Sequence, residues 1–198
     1  MSDFLVLLLA IVRYPRSAAR LIMKLELPTA ALWPYLGLVS ISYALSGYLA
    51  ATHSPPSEMR SLLEGIGPMF HAAFFFAYTA SLCFGLARLG ALMGGLGGFA
   101  QALALMTFLP FMFLVLQAVA LLLIPISFDL FTFANFLLFA YSIWITICFI
   151  DELHRYDSLG KSFMLWLFVN CAILIAAVIV MNLALQTGLI SLPVPGPG

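Results

Sequence analysis

Between Asp129 and Asp151 the chain reads LFTFANFLLFAYSIWITICFI (residues 130–150), a run without Asp, Glu, Lys or Arg. A hydrocarbon core of ~30 Å takes ~20 apolar residues per helix, which is the length of this run. Four more charge-free intervals accompany it: Leu27–Ser57, Gly65–Ala87, Leu89–Phe128 and Ser162 onward. The interval from Leu89 is long enough for two helices, but Gly94, Gly95, Gly97 and Gly98 occupy its start and leave one good span. The pattern predicts helices at about 29–51, 66–88, 100–124, 130–150 and 163–185. A transmembrane barrel would alternate apolar and polar residues over segments of ~10 residues; these runs are continuous, so helices are expected. The expected fold is an all-α integral membrane bundle of five helices.

Composition agrees. Of 198 residues, 64% are hydrophobic and 8% charged, with eight Lys plus Arg and eight Asp plus Glu. A soluble domain carries about 25% charged residues, because its surface must be wet. The mean hydropathy of +1.13 points the same way. A formal net charge of zero excludes a basic nucleic-acid surface.

Residues 1–28 precede the first span. Phe4–Val12 is apolar but too short to cross, and its basic residues follow it rather than precede it, unlike a secretory signal. Arg13, Arg16, Arg20 and Lys24 are spaced three, four and four apart, so a helix gathers them into one stripe. Pro15 suits the first turn of a new short helix. Two readings stay open. The segment is a broken amphipathic helix lying on the membrane with its stripe against anionic head groups, or the stripe is the positive flank that orients the first span.

Orientation follows from counting. With the N-terminus cytoplasmic, Arg13, Arg16, Arg20, Lys24, Arg88, Arg155 and Lys161 lie inside and Arg60 alone outside, a strong positive-inside bias. Trp33, Tyr35 and Tyr48 then flank the first span as interfacial aromatics. The Pro/Gly tail at 188–198 falls outside the cytoplasm and is too short and extended for a domain.

Candidate chemistry is sparse. His53 and His71 belong to the outer side and His154 to an inner loop, so the three cannot share a metal. In the inner loop Asp151, Glu152, His154 and Arg155 cluster. On a helix Asp151 faces His154 at i+3 and Arg155 at i+4, a ligand pair or an ion pair. The spacing matches no zinc motif, and a solvated, internally paired loop is the expectation. Cys83, Cys148 and Cys171 sit in apolar spans without a Cys-x-x-Cys, as reduced packing residues. The Gly-rich stretch lacks the Lys and Ser/Thr of a phosphate loop. Gly90, Gly94, Gly95, Gly97 and Gly98 read either as a hinge or, through the small-x3-small spacings of 90/94 and 94/98, as a close helix contact. Gln117, Asn135, Asn170 and Asn182 are polar within spans, and Pro110 should kink the third helix. No ionisable residue sits mid-span, so interhelical hydrogen bonds explain the amides better than a transport path. No nucleophile–base pair can be assembled from spacing, no metal or cofactor site is expected, and the chain is read as non-enzymatic.

Three stretches carry a likeness to a known family. They are Leu27-Pro28 before Trp33, the block Gly94–Leu105 (GGLGGFAQALAL) leading to Pro110, and the loop Glu152–Leu159 (ELHRYDSL). With the layout of spans, they resemble the Yip (Ypt-interacting protein) family of small polytopic membrane proteins, its bacterial branch in particular. The resemblance implies a five-helix membrane domain and, by analogy with eukaryotic relatives, membrane organisation through protein partners. This chain has about 28 residues before its first span and no Asp-Leu-Tyr-Gly-Pro signature, so small-GTPase binding is not carried over.

The leading expectation is an inner-membrane protein that organises lipids or partner membrane proteins by helix packing, with the bilayer and anionic lipids as contacts and a homo-oligomer left open. The competing reading is a transporter or permease component, or a lipid-handling protein, in which Gln117, Asn135 and Asn182 line a path. It requires those amides to converge on one cavity. A lipid-directed enzyme would require Asp151, Glu152 and His154 to meet a pocket.

Overall fold

The computed structural model describes residues 13–53 and 67–187. Within them lie six helices and no strand. They are α1 (Pro15–Lys24), α2 (Thr29–His53), α3 (Pro68–Leu92), α4 (Phe99–Leu121), α5 (Phe128–His154) and α6 (Leu159–Gln186). By length and composition, Pro68–Leu92, Phe99–Leu121, Phe128–His154 and Leu159–Val180 can each cross a membrane. The fifth long helix, α2, carries no Asp, Glu, Lys or Arg but is more polar, with Ser40, Ser42, Ser46 and three tyrosines. The apolar stretch Phe4–Val12, the basic residue Arg60 and the Pro/Gly tail lie outside the described residues.

Local chemistry sets the helix ends. Pro15 and Pro68 open α1 and α3, where a missing N–H leaves no bond unmade. Ser127 caps α5, its hydroxyl accepting the Leu130 N–H at 3.3 Å, and Asp129 sits favourably in the first turn. The end of α3 is a Schellman turn: Gly95 N–H reaches the Gly90 carbonyl at 2.8 Å and Gly94 N–H the Ala91 carbonyl at 3.0 Å. Gly94 takes φ +78°, a conformation that favours glycine. Three residues later Gln101 Oε1 accepts the Gly98 N–H at 3.1 Å and starts α4. The expected hinge is thus a hydrogen-bonded helix stop followed by a helix start.

The helices α3, α4, α5 and α6 form a ring in which each packs on the next and α6 closes onto α3. Opposite members of the ring pack on one another little. Outside the ring, α2 lies against α3 and α4, its Trp33 ring near Phe76 and Phe99. The short α1 lies against α4 and α5 and buries Pro15, Ala18, Ala19 and Ile22, one helical face.

Burial is uneven along the bundle. Fully buried Leu86, Leu103, Leu105, Ile145, Phe149, Ile150 and Leu165 all lie towards the end that holds α1 and the two inter-helix turns. Towards the other end the outer faces of α5 and α6 are exposed, including Phe133, Phe136, Leu174 and Val180. An apolar surface this continuous is untenable in water and suits hydrocarbon.

Candidate functional site

The site is built where α5 stops. Arg155 takes φ +52° and Asp157 φ +51°, so the chain leaves α5 in a tight turn. Left-handed conformations in non-glycine residues cost about 1 kcal/mol each, and the contacts made by residues between and beside them offset it. The turn carries Tyr156 and Ser158 across to α6 and leaves Asp151 and His154 pointing into the bundle.

Asp151 is 3% exposed and fully engaged. Its Oδ2 pairs with Arg16 Nη2 of α1 at 2.6 Å. Its Oδ1 accepts Ser158 N–H at 2.9 Å and Ser162 Oγ–H at 3.1 Å. The carboxylate therefore sits at the positive N-terminus of α6, where the helix dipole favours an anion. Next to it Arg20 Nε lies 3.6 Å from Glu152 Oε1. One acidic pair on α5 thereby locks α1 to α5 and starts α6.

His154 is 1% exposed and fills the space between α3 and the Gly-rich turn. Its Nδ1 accepts Gly97 N–H at 3.3 Å, which makes the ring neutral with its hydrogen on Nε2. Its own carbonyl accepts Leu96 N–H at 3.4 Å. A Cβ added at Gly90 would fall on the imidazole, and one at Gly95 would also meet the ring, 2.7 Å from Cγ. At Gly97 an added Cβ would lie 2.5 Å from Leu153 Cγ and 2.8 Å from the Leu153 carbonyl. The Nε2 atom faces Gly90 and makes no well-formed hydrogen bond, with the Leu86 carbonyl its nearest backbone partner. Tyr156 stacks on the imidazole at 5.2 Å and donates its hydroxyl to the Gly90 carbonyl at 2.7 Å. Burial pushes the Tyr156 phenol up from its ordinary value, so it stays a donor at neutral pH. Lys161 Nζ stands 4.2 Å from the Tyr156 ring centre, a cation–π contact.

These positions correct several expectations. The cluster Asp151, Glu152, His154 and Arg155 is not a solvated loop: Asp151 and His154 are buried, and of the four Arg155 alone is exposed. Asp151 does not face its i+3 and i+4 neighbours, because a guanidinium from α1 reaches it first. The basic stripe does not face outward as one unit. Arg16 and Arg20, themselves about half exposed, reach carboxylates of α5, while Arg13 and Lys24 are exposed without an ion pair among the described residues. As expected, Pro15 opens a short helix of its own; that helix packs on α4 and α5 rather than lying free on a surface, and the apolar stretch before it lies outside the described residues. The Gly-rich stretch does mediate close approach, but through Gly90, Gly95 and Gly97 against α5. Gly94 meets nothing and Gly98 only Gln101, so the small-x3-small spacing is not the operative one.

The four amides separate. Asn170 accepts the Tyr78 hydroxyl at 2.7 Å between α6 and α3. Asn182 is exposed and bonds back to the Val178 carbonyl at 2.8 Å. Gln117 and Asn135 line one cavity of about 480 Å³ inside the helix ring. Cys83 and Cys148 are buried and Cys171 exposed, all as free thiols. Among the described residues no three of His, Cys, Asp and Glu are placed to hold a metal. Ser162 and Tyr78 escaped sequence reasoning, since a serine or tyrosine in an apolar span has no local mark of its partner.

The two stretches Gly94–Leu105 and Glu152–Leu159 thus meet in space, glycine against histidine. The Yip1 domain family model matches residues 9–181. No curated protein and no solved structure matches the chain.

Proposed function

This chain belongs to the Yip1 domain family of membrane proteins, and on that premise we propose that it is a non-enzymatic scaffold which organises lipids and partner membrane proteins by helix packing. In this reading all five long helices span the bilayer, α2 included, since 25 residues without a charge exceed the ~20 needed. The end bearing α1 and the two turns is cytoplasmic, in a bacterial inner membrane. The exposed Arg13, Lys24 and Arg155 meet anionic head groups there.

One observation carries the reading. Residues of the two stretches that mark the family likeness are engaged with one another and with their neighbours: Gly95 and Gly97 with His154, Tyr156 with Gly90, and Ser158 with Asp151, which also holds Arg16 and Ser162. A reactive group must be reachable by substrate, and here both carboxylate oxygens of Asp151 are bonded and the His154 ring is enclosed. What the bundle turns outward is apolar helix surface, the material of packing. The competing transport reading is supported by Gln117 and Asn135 sharing a cavity and weakened by Asn182 lying apart on an exposed face.

Purification from native membranes in mild detergent tests the proposal. A membrane protein should be retained at fixed stoichiometry, and Ala176→Phe, which fills the groove between α3 and α6, should release it. Recovery of monomer with lipid alone, together with solute flux in proteoliposomes, would transfer the function to the transport class. Topology gives a separate prediction. A reporter that works only outside the cytoplasm, fused after Gly198, should be active; an inactive fusion overturns five spans with a cytoplasmic N-terminus.

A further inference from the structure

The cavity inside the ring has a polarity that the scaffold role does not use. Its deep walls are mostly apolar, with Leu82, Met106 and Leu109 from α3 and α4, and carry the hydroxyls of Thr79 and Thr146 among them. Gln117 and Asn135 lie nearer the end opposite the buried turns: Gln117 is four residues from the end of α4 and Asn135 seven from the start of α5. At 1.5 Å per residue those depths are roughly 6 and 10 Å. The two amides thus stand near one membrane face, and mostly apolar walls run inward from them.

The hydrogen-bonding capacity left over is specific. Ser142 and Thr146 give their hydroxyls to carbonyls of their own helix, at 2.7 Å each. Asn135 Nδ2 donates to the Phe131 carbonyl at 2.9 Å, leaving Oδ1 and one N–H free. Gln117 has no hydrogen-bond partner among the described residues, so two donors and an acceptor face the cavity. An amide without a partner in hydrocarbon costs free energy, and a ligand head would satisfy it. No charged side chain lines the space, so a phosphate or ammonium head would be desolvated without a counter-charge. The space opens to the molecular surface rather than being sealed, which gives a ligand access to it. A volume of about 480 Å³ is in the range of small-molecule sites.

We propose that this cavity binds a neutral amphiphile drawn from the bilayer, its hydroxyl, amide or carbonyl head held by Gln117 and Asn135 and its apolar body lying against Leu82, Met106 and Leu109. The site discriminates against charged lipids because it offers hydrogen bonds and no counter-ion. It is independent of which partner the scaffold holds.

The test uses the full chain in phosphatidylcholine nanodiscs. Two photoreactive probes carry the same diazirine chain, one a long-chain alcohol and the other a phosphatidic acid. Labelled residues are mapped by mass spectrometry. The alcohol should label cavity residues such as Phe113, be displaced by unlabelled alcohol, and label about tenfold less in Gln117→Leu, whose lost hydrogen bonds correspond to that factor. Leu109→Trp, which fills the cavity from its wall, is the second variant and should abolish labelling with the amides intact. Equal labelling by phosphatidic acid, labelling unchanged in both variants, or labels confined to outer faces such as Phe136 and Leu174 would each overturn the site.

Discussion

Gly90→Ala is expected to destabilise the protein by about 3 kcal/mol, against the usual sign for this substitution in a helix. Alanine in place of a helical glycine ordinarily gains about 1 kcal/mol from propensity. Here the added methyl falls on the His154 imidazole, and the ring has nowhere to go. It is held by Gly97 N–H at 3.3 Å, stacked by Tyr156 and enclosed by Gly95. Overpacking a close-packed site costs about 1–3 kcal/mol and upward when backbone must shift, so the clash wins. Gly37→Ala in α2 is the matched control: its Cβ would meet nothing within 4 Å, and a small gain in stability is expected. The double variant Gly90→Ala/His154→Ala should recover part of the loss, because the methyl then enters the space the ring vacates. Thermal unfolding in detergent measures all three against the parent. A Gly90→Ala protein as stable as the parent would show that His154 does not occupy the assigned position.

Arg16→Ala is expected to release α1 from the bundle at a cost of about 2 kcal/mol. Breaking a buried pair costs ~3–5 kcal/mol because a charge is left behind. The value is lower here because Arg16 is 45% exposed and water screens its side of the pair, while Asp151 is 3% exposed. The order of effects separates this account from simple loss of a surface contact. Asp151→Asn keeps an oxygen for Ser158 N–H and Ser162 Oγ–H and leaves no buried charge, so it should cost less than Arg16→Ala. The double variant should also be milder than Arg16→Ala alone. Trypsin reports the release directly, since Arg20 and Lys24 lie in α1. Cleavage there should accelerate in Arg16→Ala and change little in Asp151→Asn. Unchanged cleavage in Arg16→Ala would mean that α1 is held without Arg16, by Ala18, Ala19, Ile22 and the Arg20–Glu152 pair.

Much of the architecture is legible in local pattern. The run between Asp129 and Asp151 becomes α5, yet the helix goes four residues past Ile150 to His154. A charge count stops at Asp151 because an unpaired carboxylate is costly in an apolar setting. The helix continues because Arg16, more than a hundred residues earlier, neutralises it. The basic stripe shows the same division. Its spacing of three, four and four follows from helical periodicity, but nothing in residues 13–24 says that two of its four members face carboxylates. The glycines are the clearest case. Gly94 and Gly98 have the membrane-packing spacing, whereas Gly90, Gly95 and Gly97 are the ones a side chain from α5 approaches. Spacing reports which residues share a face and not what is pressed against it.

By itself, then, the sequence determined that this is a helical membrane protein, where its apolar helices run, and that one basic stripe precedes them. Hydrophobicity and helical period are properties of neighbouring residues and need no partner to be read. Tertiary structure alone decided that α1 docks on α5 through Arg16 and Arg20, and that the Gly-rich turn exists to admit His154. It also decided that two of four amides share a cavity while two do not. Each of those depends on which side chain arrives from a distant part of the chain, and in a bundle of similar apolar helices no local pattern encodes that arrival.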